Sequence, residues 1–157
     1  MRTKLWVAVV LLLLAGLLVA AGAAQAKAPL RCEASLYTDA DTPYWEVALS
    51  GDVNGTMYVY GDPTREFFFP GKTEHFFETW EVYSDSGDWL FSGTDAGVWS
   101  FVTFKFRANG WVTDASSDWQ YLVGHKFHEI GTTTDPFAPT EPPYAITGEA
   151  DMFFAGP

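Results

Sequence analysis

Residues 74–93 read EHFFETWEVYSDSGDWLFSG. Phe76, Glu78, Trp80 and Val82 alternate with His75, Phe77, Thr79 and Glu81, the two-residue period of a strand whose faces meet different surroundings. Asp85-Ser86-Gly87-Asp88 interrupts the run with residues that suit a tight turn, glycine because it tolerates positive φ. The alternation then resumes from Trp89. The stretch therefore predicts an antiparallel hairpin, and the rest of the chain after residue 30 offers alternating runs rather than a helical period.

Upstream, 31–38 and 44–50 read as strands on either side of the turn cluster Asp39-Ala40-Asp41-Thr42-Pro43. Gly51 to Gly55 turns into a further strand at 56–60. Phe67-Phe68-Phe69, bracketed by Gly61-Asp62-Pro63 and Pro70-Gly71-Lys72, fits either a short strand or a covering loop. Downstream, 97–107, 111–115 and 119–130 read as strands, with Ala108-Asn109-Gly110 as the hairpin turn between the first two. Residues 131–143 form a Thr/Pro-rich excursion, and 144–154 return as the last strand. The fold class is all-β. A meander of about eight strands removes its exposed edges by closing into a single antiparallel barrel, and Gly93, Gly97, Gly124, Gly131 and Gly148 suit sharp bends or close backbone approach. A two-sheet sandwich is the alternative.

Gly97-Val98-Trp99, the run Phe104 to Thr113, Leu122-Val123-Gly124-His125 and Ile146-Thr147-Gly148 resemble secreted barrels of the allene oxide cyclase and dirigent superfamily in their glycine and aromatic spacing. The resemblance implies an eight-stranded antiparallel barrel with a largely apolar lumen; plant members steer cyclisation or coupling of small hydrophobic molecules. It carries no active-site residue onto this chain.

At the N-terminus, Arg2 and Lys4 precede an uncharged run from Leu5 to Ala24, and Ala24-Gln25-Ala26 offers a small-residue cleavage site. This is the layout of a signal peptide over residues 1–26, followed by a barrel domain over 27–157. The apolar run, about 20 residues, is also long enough for an uncleaved anchor, the only route to a membrane that the sequence suggests. The expected location is extracytoplasmic, in the cell envelope or secreted. The chain carries 9 basic and 20 acidic residues, a formal charge of −11. Such a balance repels phosphate backbones and argues against nucleic acid as a partner. Cys32 is the only cysteine, so no intramolecular disulfide forms; a buried thiol or a bridge to a second chain remains.

The face of each strand that lines the lumen follows from bulk. Phe76, Glu78, Trp80 and Val82 are expected inside. So are Val98, Ser100, Val102, Phe104 and Phe106, leaving Trp99 and Phe101 outside with Trp111 as a patch for self-association or sugar stacking. On 119–130 the odd set, Trp119, Tyr121, Val123, His125, Phe127 and Glu129, is the bulkier. The candidate ligand-binding residues are thus Trp80, Phe104, Trp119, Tyr121 and His125, with His125, Glu78 and Glu129 as candidate acid–base groups. His125 and Glu129 lie ~13 Å apart on one strand and His128 points to the other face, so no metal site is expected. No cofactor motif appears. These residues point to a barrel binding a small hydrophobic ligand or an envelope partner. A cofactor-free isomerase or cyclase, a carbohydrate binder and a self-assembling homo-oligomer are the alternatives.

Overall fold

The computed structural model describes residues 28–139, 141–142 and 144–156; the expected signal segment and its cleavage site fall outside them. The strands are β1 Leu30–Thr38, β2 Trp45–Gly51, β3 Gly55–Gly61, β4 Phe67–Phe69, β5 Thr73–Ser84, β6 Trp89–Ser100, β7 Lys105–Ala115, β8 Lys126–Thr133 and β9 Ile146–Ala155. A 3₁₀ turn, Gln120–Leu122, precedes β8.

From β1 to β3 and from β5 to β9 consecutive strands pair antiparallel, β9 returns to β1, and β3 pairs with β5 across residues 55–61 and 78–84. Eight strands thus close into an up-and-down barrel. The ninth, β4, lies outside the circuit as a three-residue edge strand on the start of β5. The Phe67–Phe69 run combines the two expectations for it: it is a strand, but its three rings are more than half exposed.

The hairpin at 85–88 forms as its residues dictate, with Gly87 at φ 87° and Gly87 N donating to Ser84 O at 2.9 Å. Ala108-Asn109-Gly110 does not turn; it lies in the middle of β7, and the chain reverses at 101–104 instead, where Phe104 adopts φ 56°. Gly110 is needed for close packing: a Cβ there would overlap Thr94 O and crowd the Asp95 side chain. Moving the turn changes which face points inward. On β6 the inward set is odd, with Phe91, Gly93 and Asp95 buried, whereas Phe106, Ala108, Gly110 and Val112 are inward on β7. Val102, expected inside, is 68% exposed; Phe101, expected outside, is 8% exposed.

The reading of 119–130 as one strand also fails. The chain folds through the 3₁₀ turn and reverses at Gly124, φ 85°, before β8 begins. Leu122, 1% exposed, plugs this end of the barrel. Behind it the lumen is filled by rings: Trp80 lies 5.0 Å from Phe127, 6.0 Å from Phe154 and 6.2 Å from Phe91, centroid to centroid. Gly93, the cross-strand partner of Trp80, leaves the space that the indole occupies, since a Cβ there would overlap it. Cys32 is buried in the same core, where desolvation raises its thiol pKa, so a bridge to a second chain would require opening the barrel.

Candidate functional site

At the opposite end the packing stops short. There β1, β3, β6 and β8 run out at Thr38, Gly61, Ser100 and Thr133, while β2 and β5 enter at Trp45 and Thr73. Between them lies a cavity of about 190 Å³. Its apolar wall comes from inward positions of the strands, among them Leu36, Val47, Val59, Phe76 and Phe106. An engineered cavity of about 150 Å³ admits benzene, so the space suits one ring with a short substituent.

The mouth is held in shape by short-range polar bonds. Asp39 accepts from Thr42 Oγ1 at 2.7 Å and from Tyr37 OH at 2.8 Å, and Thr38 Oγ1 donates to Tyr44 O at 3.0 Å. The bonds from Thr42 and Tyr37 hold the Asp39 carboxyl below its usual pKa, and together with the Thr38 bond they fix the β1–β2 loop whose Thr42, Pro43 and Tyr44 form one lip. Across the opening, Trp99 Nε1 donates to Thr133 Oγ1 at 3.1 Å, and the Trp99 and Trp45 rings meet edge to face at 5.9 Å. Trp99 continues outward to Phe101 at 5.1 Å, and Phe101 to Phe68 and Phe137 at 5.2 and 5.4 Å. Phe68 and Phe137 are more than half exposed, so an aromatic rim leads from solvent to the cavity.

The polar part of the lining is acidic. Glu66, Glu74, Glu78 and Glu129 reach the cavity; no lysine, arginine or histidine among the described residues does. Glu78 and Asp95 are direct cross-strand partners on β5 and β6, and Glu129 projects from β8 between Ala108 of β7 and Met152 of β9. Asp95 and Glu129 are 6% and 7% exposed. Burial, reinforced by the Asp95 charge, pushes Glu129 up to about 8. Burial likewise takes Asp95 to about 7, with the Trp80 indole N–H the one influence favouring its anion. That N–H is poorly aligned: Trp80 Nε1 and Asp95 Oδ1 both lack a well-formed hydrogen bond. Glu78 is raised well above the ordinary range by burial and then by its acidic neighbours Asp95 and Glu129. Glu74 is raised by burial and by Glu66. Carboxyls that titrate near neutrality in a ring-walled space can accept a cation, donate as acids, or move a proton.

The expected site residues divide between the two ends. Glu78 and Glu129 line the cavity together. Trp80 is one layer deeper, 1% exposed in the core. Phe104 sits at the 101–104 reversal outside the lining. Trp119, Tyr121 and His125 belong to the loop at the plugged end, where Trp119 stacks on Tyr121 at 6.3 Å and Tyr121 meets His125 at 6.3 Å. His75 and His128 face outward, the latter bonded to Asn109 Oδ1 at 2.9 Å. His125 is therefore not brought to Glu78 and Glu129. Sequence reasoning missed Asp95, Glu66, Glu74, Trp45 and Trp99. Asp95 carried one usable signal, a lone charge at an alternating position between Gly93 and Gly97.

No group of three or more His, Cys, Asp or Glu among the described residues has the arrangement to hold a metal ion, and no described helix is long and apolar enough to cross a membrane. The fold and site define a class, an antiparallel eight-stranded barrel closed at one end and hollow and acidic at the other. No family model, curated protein or solved structure matches the chain, so kinship adds nothing to that description.

Proposed function

We propose that this chain is an exported binding barrel that takes one small, largely apolar molecule into its open end. The observation that carries the reading is the cavity itself: about 190 Å³ with an apolar wall that includes Phe76, Phe106, Trp45 and Trp99, and with carboxyls placed to fix orientation, the composition of a ligand site. The N-terminal leader supports export, and the resemblance to allene oxide cyclase-like barrels supports a small hydrophobic ligand. The test is native mass spectrometry of the protein purified from its own host, before and after denaturation. A bound small molecule lost on denaturation is the expected result. Leu36→Phe, which adds bulk to the cavity wall, is expected to lose that mass while the fold persists; a ligand-free monomer in both states would sink the reading.

Catalysis is the second reading, favoured by one observation: Glu78 and Glu129 line the cavity together, and burial raises both, Glu129 to about 8, as a general acid requires. Glu78 and Glu129 would be the groups facing a substrate, in a cofactor-free isomerisation or cyclisation. An activity of this kind would show a bell-shaped pH profile that Glu129→Gln abolishes.

A further inference from the structure

We propose that the ligand of this cavity carries a positively charged ammonium group, seated against Glu129 and Glu78 and flanked by the indoles of Trp45 and Trp99. The inference rests on the binding reading above and adds the charge of the ligand to it.

Four features converge. The lining combines four carboxyls with Trp45, Trp99, Phe76 and Phe106 and holds no basic residue among those described. Glu129 is more than nine-tenths buried, faces the cavity, and makes no hydrogen bond or ion pair among the described residues. A carboxyl buried without a partner is costly unless something else supplies the donor or the charge. The aromatic share of the lining distinguishes an organic cation from a metal ion: ring faces attract ammonium groups by about 2 kcal/mol when desolvated, whereas hard metal ions take oxygen ligands throughout. Finally, the size suits one ring or one trimethylammonium head with a short chain.

The electrostatics give the binding a pH signature. Glu129 faces Glu78 on β5 and Asp95 on β6; β7 offers Phe106 and Ala108, β9 Ala150 and Met152, and β1 Leu36 and Thr38. Glu66 and Glu74 complete the acidic set at the mouth. No cation among the described residues faces it. At neutral pH Glu129, pushed up to about 8, largely holds its proton, and an arriving ammonium ion makes its anion the better state. Binding should therefore release a proton and tighten as pH rises from about 6 to about 9.

The experiment is isothermal titration of the wild-type protein with two matched pairs, choline against 3,3-dimethyl-1-butanol and phenethylammonium against 2-phenylethanol. It is run at pH 6 and pH 8 in buffers of different ionisation enthalpy. At least one ammonium compound is expected to bind about 30-fold more tightly than its neutral partner, with net proton release at pH 7–8. Glu129→Gln should lower ammonium affinity at least about tenfold and leave the alcohols unchanged. If that variant fails to fold, proton release by the wild type still decides. Alcohols binding as well as or better than the ammonium compounds would overturn the charge and leave the binding barrel standing. Silence from all four compounds would overturn both. Calcium binding where the ammonium compounds fail would likewise overturn the inference.

Discussion

At the scale of single residues, the barrel interior is a set of fitted pairs, large on one strand and absent on the next. Trp80 fills the space left at Gly93, and the Phe76 ring fills that at Gly97. This explains why the alternation Phe76–Glu78–Trp80–Val82 was readable while its partner was not. A strand that donates space carries little hydrophobic signal, and Gly93-Thr94-Asp95-Ala96-Gly97 looks like a turn when read alone. It also hid Asp95, whose neighbours made its charge look like a surface feature. Gly93→Ala is accordingly expected to cost about 2 kcal/mol or more, because the new methyl meets both the Trp80 indole and Trp111 O and neither gives way easily. Urea denaturation checks it; a loss below about 0.5 kcal/mol would mean that the indole is free to move.

At the scale of elements, the turns decide which residues reach the site. Ala108-Asn109-Gly110 satisfies every local rule for a hairpin, yet its glycine is consumed by packing against Thr94 and Asp95, and the reversal falls to Phe101–Phe104, which no turn rule singles out. The displacement by a few residues turned Phe101 inward and left Val102 in solvent. Likewise 119–125, read as the start of a strand running to 130, belongs to a loop that plugs the barrel, and its Leu122 competes successfully for the core. Two substitutions separate these readings by equilibrium unfolding. Phe101→Ala is expected to cost about 3 kcal/mol, since its ring is buried among Trp99, Phe68 and Phe137. Phe67→Ser on β4, 65% exposed, is expected to change stability by less than about 0.5 kcal/mol. Equal costs would restore the sequence reading of an outward Phe101.

At the scale of the whole molecule, one end of the barrel is filled with aromatic rings and the other is left hollow and acidic, and stability should record that division as a dependence on pH. The strand count and closure were legible because hairpins at 51–55 and 85–88 are local; the cavity was not, because its position depends on how far each strand runs past its neighbour. Burial raises Glu129 to about 8, Asp95 to about 7 and Glu78 well above its ordinary value. A carboxyl raised on folding keeps a proton that the unfolded chain has already lost, so the folded state is favoured at low pH and weakens as pH rises from about 4 to about 8. Asp39 and Asp62, lowered by bonds from Thr42 and Tyr37 and from Thr64, act in the opposite sense and lose their contribution only below about pH 4. The two trends place maximal stability on the acid side of neutrality. Between pH 5 and pH 9 the unfolding free energy is expected to fall by several kcal/mol, because each tenfold change in a carboxyl's proton affinity on folding is worth about 1.4 kcal/mol. Urea melts across that range at constant, high ionic strength separate this contribution from the general repulsion of a chain with net charge −11. Glu129→Gln should flatten the curve and be more stable than wild type at pH 9. A stability that rises from pH 5 to pH 9 would mean that these carboxyls are charged and solvated in the folded barrel, and with that the proton release expected when a cation binds would be lost.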